Sequence, residues 1–451
     1  MSTTDLPRAI NHFGACLLYN KQHKNDVGYH LMRAHNLDML PGHSGRVFDS
    51  SASYPVLRLQ EGAANVVISP WGIAHALSML FEGAGEGSPS EQELSHILFD
   101  VKGSPSSKDV VRTQVSNIAK SISASDTMVS DANSAWVHPE FKVLEKYVGA
   151  LKEKYAASVY PLDDAQTVNT WVSEATHNKI TSIIDQNSIS KTLLLLINAI
   201  YFKGMWQVPF PKSMTNMLPF YNIDGTTNQV PLMYLCHKDK SNAVQAAQFD
   251  VSVPSSVHSS AVKCTAVKFL YQGGQFSGIA SMPQEVVHDG SRLLLKGGVP
   301  YEEGLKACGE AVLMRLSASA VKDALNWLTV DGRQLSAIKV FLPRFEIEYS
   351  TSLNVQLSHM GIKSIFKPGD FTNISAEPSL SVSDIIHKVY IKVDEEGTEA
   401  AAVTAVMMVK CIAMMAPPEI FVKFDRPFNF SIVHEPTGLA LFSGTIHRCV
   451  A

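Results

Sequence analysis

Residues 394–407, Asp-Glu-Glu-Gly-Thr-Glu-Ala-Ala-Ala-Val-Thr-Ala-Val-Met, constrain the fold more than any other stretch of the chain. Alanine is the best helix former, so a helix is one reading. Read as an extended strand, the side chains alternate between two faces. One face then carries Thr398, Ala400, Ala402, Thr404 and Val406, all small and uncharged; the other carries Glu399, Ala401, Val403, Ala405 and Met407. A face of the first kind enters a crowded sheet without leaving an ion unpaired. Gly397, which has no Cβ to restrict φ, suits a hinge just ahead of it. The segment reads as a peptide able to be either an exposed loop or a buried strand.

The chain has 451 residues, 45% hydrophobic and 18% charged, which is enough apolar material for a large core. A formal net charge of −4 predicts no general attraction to nucleic acid or acidic membranes. No apolar run reaches the length of a membrane span. The N-terminus lacks the charged start and apolar stretch of a secretory signal, so the expected location is cytoplasmic; a secreted chain whose signal has been removed is the alternative. The cysteines at 16, 236, 264, 308, 411 and 449 are scattered, with no Cys-x-x-Cys and no zinc-like spacing. Reduced thiols, no metal and no cofactor are therefore expected. Asn373 and Asn429 begin weak Asn-x-Ser sequons.

Along the chain, residues 7–21 read as a helix with Pro7 in its first turn. Residues 22–62 show no sustained period and read as a long loop or insertion. A short strand from Asn65 leads into a helix with Ile73, Leu77 and Leu80 on one face. Ser90 to Glu93 has the form of a capping box opening another helix. Helices are expected at 110–123, 141–155 and 167–180, with a strand near 132–137. Leu193–Phe202 is apolar on both faces, the pattern of a central strand covered on both sides. From 215 onward the alternation suggests antiparallel strands, with a helix near 319–328 and a short one at 352–357. Pro343 in the alternating run 338–348 suggests an edge or bulge. Three strands close the chain at 420–424, 428–434 and 439–446. Helices early and strands late imply an α+β fold.

Several strings in this order resemble one family. Glu395-Glu396-Gly397-Thr398-Glu399-Ala400-Ala401-Ala402 resembles the proximal hinge of the reactive-centre loop of an inhibitory serpin. Asn65 to Ile73, Asn169 with Trp171 to Ile180, Asn198 to Trp206, Leu342 to Phe345, His387-Lys388, and Phe424 through Gly444 are similar to further serpin signatures. The resemblance implies a single serpin domain over residues 1–451, with three β-sheets, eight or nine helices and an exposed loop at 394–419. It assigns Ser69, Asn169, Trp206 and His387 to the control of sheet opening. Three departures stand out: the 22–62 insertion is long, Gly72 replaces an expected serine, and Val403 replaces a common alanine on the outward face.

By that resemblance the protein is a suicide substrate. A protease serine or cysteine attacks a loop carbonyl and forms an acyl-enzyme. The cut loop then enters the main sheet through Gly397, Thr398, Ala400, Ala402 and Thr404, and the displaced protease stalls. Counting from Gly397 by the commonest family spacing puts Cys411 before the cleaved bond and Ile412 after it. A hinge one residue shorter selects the Lys410–Cys411 bond. Lys410 is the only basic residue from Met407 to Met415, so it is preferred by a small margin, for a trypsin-like pocket; Cys411 comes next and Met414 third. The expected partner is a target serine protease in a covalent complex, with a papain-like cysteine protease as the cross-class alternative, and the protein itself is expected to be a monomer.

A catalytic role has little support. Asp394, Glu395 and Glu396 read as a solvated acidic run, and Gly83-Ala-Gly85-Glu-Gly87 does not follow a strand as a phosphate loop would. The serious rival is a non-inhibitory serpin that acts as a chaperone or binding protein. Its hinge would carry bulky or charged residues on the inserting face, which is clear of both here.

Overall fold

The computed structural model describes residues 5–19, 65–99, 107–124, 128–238, 242–253, 260–289, 292–296, 298–316, 325, 327, 329–330, 333–334, 337–398 and 419–450. The expected insertion at 22–62 and the loop positions from Glu399 to Pro418 lie outside these residues.

Three large sheets and, among the described residues, nine α-helices give the α+β architecture that the sequence implied. The main sheet has six strands in the order Phe345–Ser352, Asp384–Val393, Gly397–Thr398, Leu194–Met205, Met128–Val137 and Ser158–Pro161. Leu194–Met205 lies at its centre, and its residues from Leu194 to Phe202 are all buried, as a strand covered on both faces must be. An eight-stranded sheet built largely from Val244–Val253, Ser260–Leu270, Phe276–Pro283, Phe428–His434 and Leu439–Ile446 packs behind it. A four-stranded sheet in the order Glu419–Lys423, Ala337–Pro343, Thr227–His237 and Asn216–Tyr221 is the third. A small three-stranded ribbon spans 286–300.

The inner face of the main sheet joins one continuous core. Leu196, Ile200, Phe202, Val389 and Ile391 meet Phe430, Ile432 and Phe442 of the eight-stranded sheet, together with Ile73 and Leu77 of helix Pro70–Gly83. On the outer face, helix Ala165–Ala175 and the return after it cover Trp136, Leu195, Ile197 and Tyr201.

Several local expectations shift for identifiable reasons. Helix Pro89–Phe99 starts earlier than the Ser90 capping box required: Ser88 Oγ accepts from Glu91 N (3.2 Å), Glu91 in turn accepts from Gly87 N (2.6 Å), and Pro89 takes the first helical position. Glu93 instead accepts from the backbone of Lys363 and Ser364 (2.7 Å each). The run 338–348 is two strands in different sheets, Ala337–Pro343 and Phe345–Ser352. The first is interior, not an edge, and Pro343 is accommodated as its last residue. The helix in this half of the chain is Tyr301–Leu316, with Glu302 and Glu303 in its first turn; of the expected 319–328 only 325 and 327 are described, and neither is helical. Asn429, buried in its strand, donates to the Leu305 carbonyl (2.8 Å) and offers no surface for a glycan.

Phe202 packs edge-on against Tyr271 (4.8 Å), Phe276 (5.4 Å) and Phe442 (6.3 Å), joining the main sheet to the layer behind it. Phe202→Ala is expected to cost about 3–5 kcal/mol, read as a lower midpoint in urea; an unchanged midpoint would show that this contact does not couple the layers.

Candidate functional site

The main sheet has a seam. Strands Asp384–Val393 and Leu194–Met205 run parallel and pair directly from Asp384–Leu195 to Tyr390–Tyr201. Beyond Tyr390 they separate, and Gly397–Thr398 lies between them, antiparallel to both: Thr398 opposes Val393 on one side and Gly204 on the other. The chain reaches this position through a tight reversal. Asp394 N donates to the Gly397 carbonyl (2.9 Å), and the Asp394 side chain accepts from the backbone of Glu396 (2.9 Å) and Gly397 (3.2 Å). Gly397 is required here by close approach, because a Cβ would overlap the Gly204 carbonyl oxygen.

Side chains hold the reversal from three sides. Trp206 donates its indole N–H to the Asp394 carbonyl (3.0 Å) and its backbone N–H to the Glu396 carbonyl (2.8 Å), and it stacks on Tyr271 (4.3 Å, 18°). The Tyr271 hydroxyl meets Thr398 Oγ1 at 2.7 Å, so Thr398 faces the core and is fully buried. Glu395, also buried, accepts from Arg344 (2.6 Å) and Thr215 (2.7 Å), while Glu396 pairs with Lys212 (2.5 Å). Burial works to raise the Glu395 carboxyl, but the Arg344 and Thr215 hydrogen bonds and the Arg344 charge outweigh it and hold the group below its ordinary value. For Asp394 burial dominates and raises the carboxyl, with the backbone hydrogen bonds from Glu396 and Gly397 opposing it and the charges of Glu395 and Glu396 adding to the rise. The acidic run is therefore a buried anchor, not a solvated stretch.

A polar cluster lies under the paired part of the seam. His387 and Asn198 are register partners across it, and His387 Nδ1 meets Asn198 Oδ1 at 2.8 Å. Ser69 caps helix Pro70–Gly83 by accepting from Gly72 N (2.9 Å), and its own N–H donates to His387 Nε2 (2.9 Å). Gly72 is where a serine was expected. A Cβ there would overlap the Asn198 amide, so the space of the missing side chain is taken by Asn198. Burial pushes the His387 imidazole down to about 3, with only partial compensation from the Asp131 charge.

Of the four residues assigned to sheet opening, the structure brings Ser69 and His387 into contact. Trp206 sits at the hinge end. Asn169 is on the outer helix, where it accepts from Ile183 N (2.8 Å) and Ile184 N (3.2 Å) and donates to the Ile184 carbonyl (2.9 Å). It fastens the return after helix Ala165–Ala175, which Lys388 also holds from the far side of the seam by donating to the Ser182 carbonyl (2.5 Å). Glu396, Gly397 and Thr398 are placed as above. Glu399, Ala400, Ala401, Ala402, Thr404, Lys410, Cys411 and Ile412 fall outside the described residues. Sequence reasoning missed Asp131, His75 and Asn133, which complete the cluster. The available signals were a histidine in a mostly apolar helix and an Asp-x-Asn pair on one face of a strand.

The site is a parallel strand pair that parts at one end around a two-residue antiparallel strand. Comparison with known proteins identifies the class. The family model described as serpin (serine protease inhibitor) matches residues 52–449, and the chain belongs to the serpin family. It is 32% identical over 402 residues to intracellular coagulation inhibitor 2 of Tachypleus tridentatus, covering 87% of each chain. Against leukocyte elastase inhibitor A of Mus musculus it is 30% identical over 404 residues, covering 87% of this chain and 95% of that one. Among solved structures, Serpin48 of the insect Tenebrio molitor aligns over 100% of this chain and 99% of its own with a TM-score of 0.69 at 22% identity. Human thyroxine-binding globulin aligns over 100% of both chains with a TM-score of 0.70 at 21% identity. These two likenesses show the shared fold.

His387 sets a pH dependence whose sign follows from its lowered value. Between about 6.5 and about 3 the unfolded chain holds a proton on this ring that the folded chain does not. Stability therefore falls as pH drops through that window and gains nothing from this group above it. His387→Gln is expected to flatten the fall by up to one proton, about 1.4 kcal/mol per pH unit, in urea titrations from pH 7 to 4; an unchanged slope would contradict the assignment.

Proposed function

We propose that the protein inhibits a protease as a suicide substrate, by taking its cleaved loop into the seam. The observation that carries this reading is the register of Gly397–Thr398. In an antiparallel strand each step along the loop moves one residue back along its neighbours. Continued from Thr398 opposite Gly204 and Val393, Ala400 would lie between Phe202 and Ile391, and Ala402 between Ile200 and Val389. All four flanking residues belong to the packed inner core, where only small side chains fit. Thr404 would arrive between Asn198 and His387, the pair that closes the seam. Glu399, on the outer face, would lie between Lys203 and Lys392, so its charge meets two cations instead of the core. These four side chains suit their destinations in size and polarity.

Two relatives reported above bear the name inhibitor, which supports the same reading. The preferred target is a trypsin-like serine protease read through Lys410, with Cys411–Ile412 as the neighbouring bond, and the complex is one to one. The proposed location is cytoplasmic. It rests on thiols that form no disulfide among the described residues and on a relative named as intracellular.

Incubation with a trypsin-like protease is expected to give a band at the summed mass that survives denaturation. Ala400→Arg and Thr404→Arg are each expected to abolish that band while the loop is still cut, because an arginine cannot enter the core uncompensated. Undiminished complex in both variants, or clean cleavage of the wild type across serine and papain-like cysteine proteases, contradicts inhibition by insertion and favours a binding role. Lys410→Ala is expected to slow complex formation with a trypsin-like enzyme about ten- to a hundredfold; an unchanged rate moves the cleaved bond elsewhere.

A further inference from the structure

Asn198 sits on the seam with its amide nitrogen fully engaged on its own side. Nδ2 donates to Asp131 Oδ1 (2.9 Å) and Asn133 Oδ1 (2.8 Å), both on the adjoining strand Met128–Val137. With the nitrogen held there, the amide oxygen is turned the other way, toward His387 Nδ1 at 2.8 Å. Because that oxygen only accepts, the His387 proton resides on Nδ1, and Nε2 is left as the acceptor for the Ser69 N–H. The orientation of every group across the seam thus traces back to one carboxylate.

That carboxylate is unusually well supplied with donors. Asp131 Oδ2 accepts from Trp71 Nε1 (2.7 Å) and faces His75 Nδ1 (2.9 Å), while Oδ1 takes the amides of Asn133 and Asn198 (2.9 Å each). The second ring nitrogen of His75 faces the Tyr155 carbonyl (2.9 Å), so both nitrogens of that ring meet acceptors. The Asp131 side chain is only 14% exposed. A neutral amide in its place would turn an NH2 group toward donors and leave at least one of them unsatisfied, which is costly when buried.

We propose that Asp131 is a positioning residue for opening of the main sheet: by fixing the Asn198 amide it aims the Asn198–His387 hydrogen bond across the seam and so raises the barrier to parting the strands. This rests on reading the sheet as the part that opens. The topology separates this role from simple structural support. Asp131 opposes Ile200 and Asn133 opposes Asn198, so these residues stay together on neighbouring strands when the seam parts. Only the contact with His387 is divided. Asp131 therefore favours the closed sheet over the filled one.

The test compares intact and loop-nicked protein. Asp131→Asn is expected to speed spontaneous loss of inhibitory capacity on warming roughly five- to tenfold, the rate equivalent of one lost hydrogen bond. The unsatisfied donor weighs on both forms, so the melting midpoint of intact protein, which alone also loses the seam contact, should fall further than that of nicked protein. In a His387→Gln background, Asp131→Asn should add nothing further to the rate. Equal lowering of both midpoints, or a full additional effect in the His387→Gln background, overturns the proposal. Should Asp131→Asn fail to fold, Asn198→Ala removes the same seam contact while Trp71 and His75 keep their acceptor, and an unchanged inactivation rate then overturns it. Failure of the underlying reading looks different: nicked wild type would gain no heat resistance at all.

Discussion

The structure depends on how two parallel strands, Asp384–Val393 and Leu194–Met205, are held side by side. Along part of their length they share ladder hydrogen bonds, and at one end a two-residue strand has already entered between them. A sheet interior tolerates such an arrangement only if both states leave backbone and side chains satisfied. In the closed stretch this is met by direct pairing; at the hinge it is met by Gly397–Thr398 itself. On the proposed reading the seam is a site where one set of hydrogen bonds is exchanged for another of the same kind, and the neighbouring packing determines which is preferred.

Two groups of side chains set that preference from opposite ends. At one end, Trp206, Tyr271, Arg344 and Lys212 hold the reversal at Asp394–Gly397 and with it the two-residue strand between the main pair. At the far end, Ser69, Asn198 and His387 join helix Pro70–Gly83 to both sides of the closed seam, with Asp131 and His75 behind them. In the proposed mechanism one group favours entry of a strand and the other opposes it. A buried, neutral imidazole is well suited to the second role, because it bonds through both nitrogens without adding a charge to be compensated.

Much of this was legible in the sequence because periodicity reports burial. The double-sided apolar run at Leu193–Phe202 gave the central strand, and the alternation after Gly397 placed Thr398 on the inward face it occupies. What escaped was set by contacts between distant segments. Asp131 looks like any acid on a half-exposed strand until Trp71, His75 and Asn198 surround it, and those partners lie 56 to 67 positions away. Helix Tyr301–Leu316 carried acids in its first turn, but lay in a region whose alternating strands dominated the pattern. The acids at 394–396 read as solvated because Arg344, Lys212 and Thr215, which surround them, come from remote parts of the chain.

The most direct test of the account is a crystal structure of the protein cut within residues 399–418. Asn198 and His387 now sit on adjacent strands, a spacing of about 4.8 Å between neighbours in a sheet. In the cut protein a new strand is expected between them with Thr404 at their level, the two strands standing about twice that spacing apart. Strands that remain directly paired from Asp384 to Tyr390 after cutting would contradict the account.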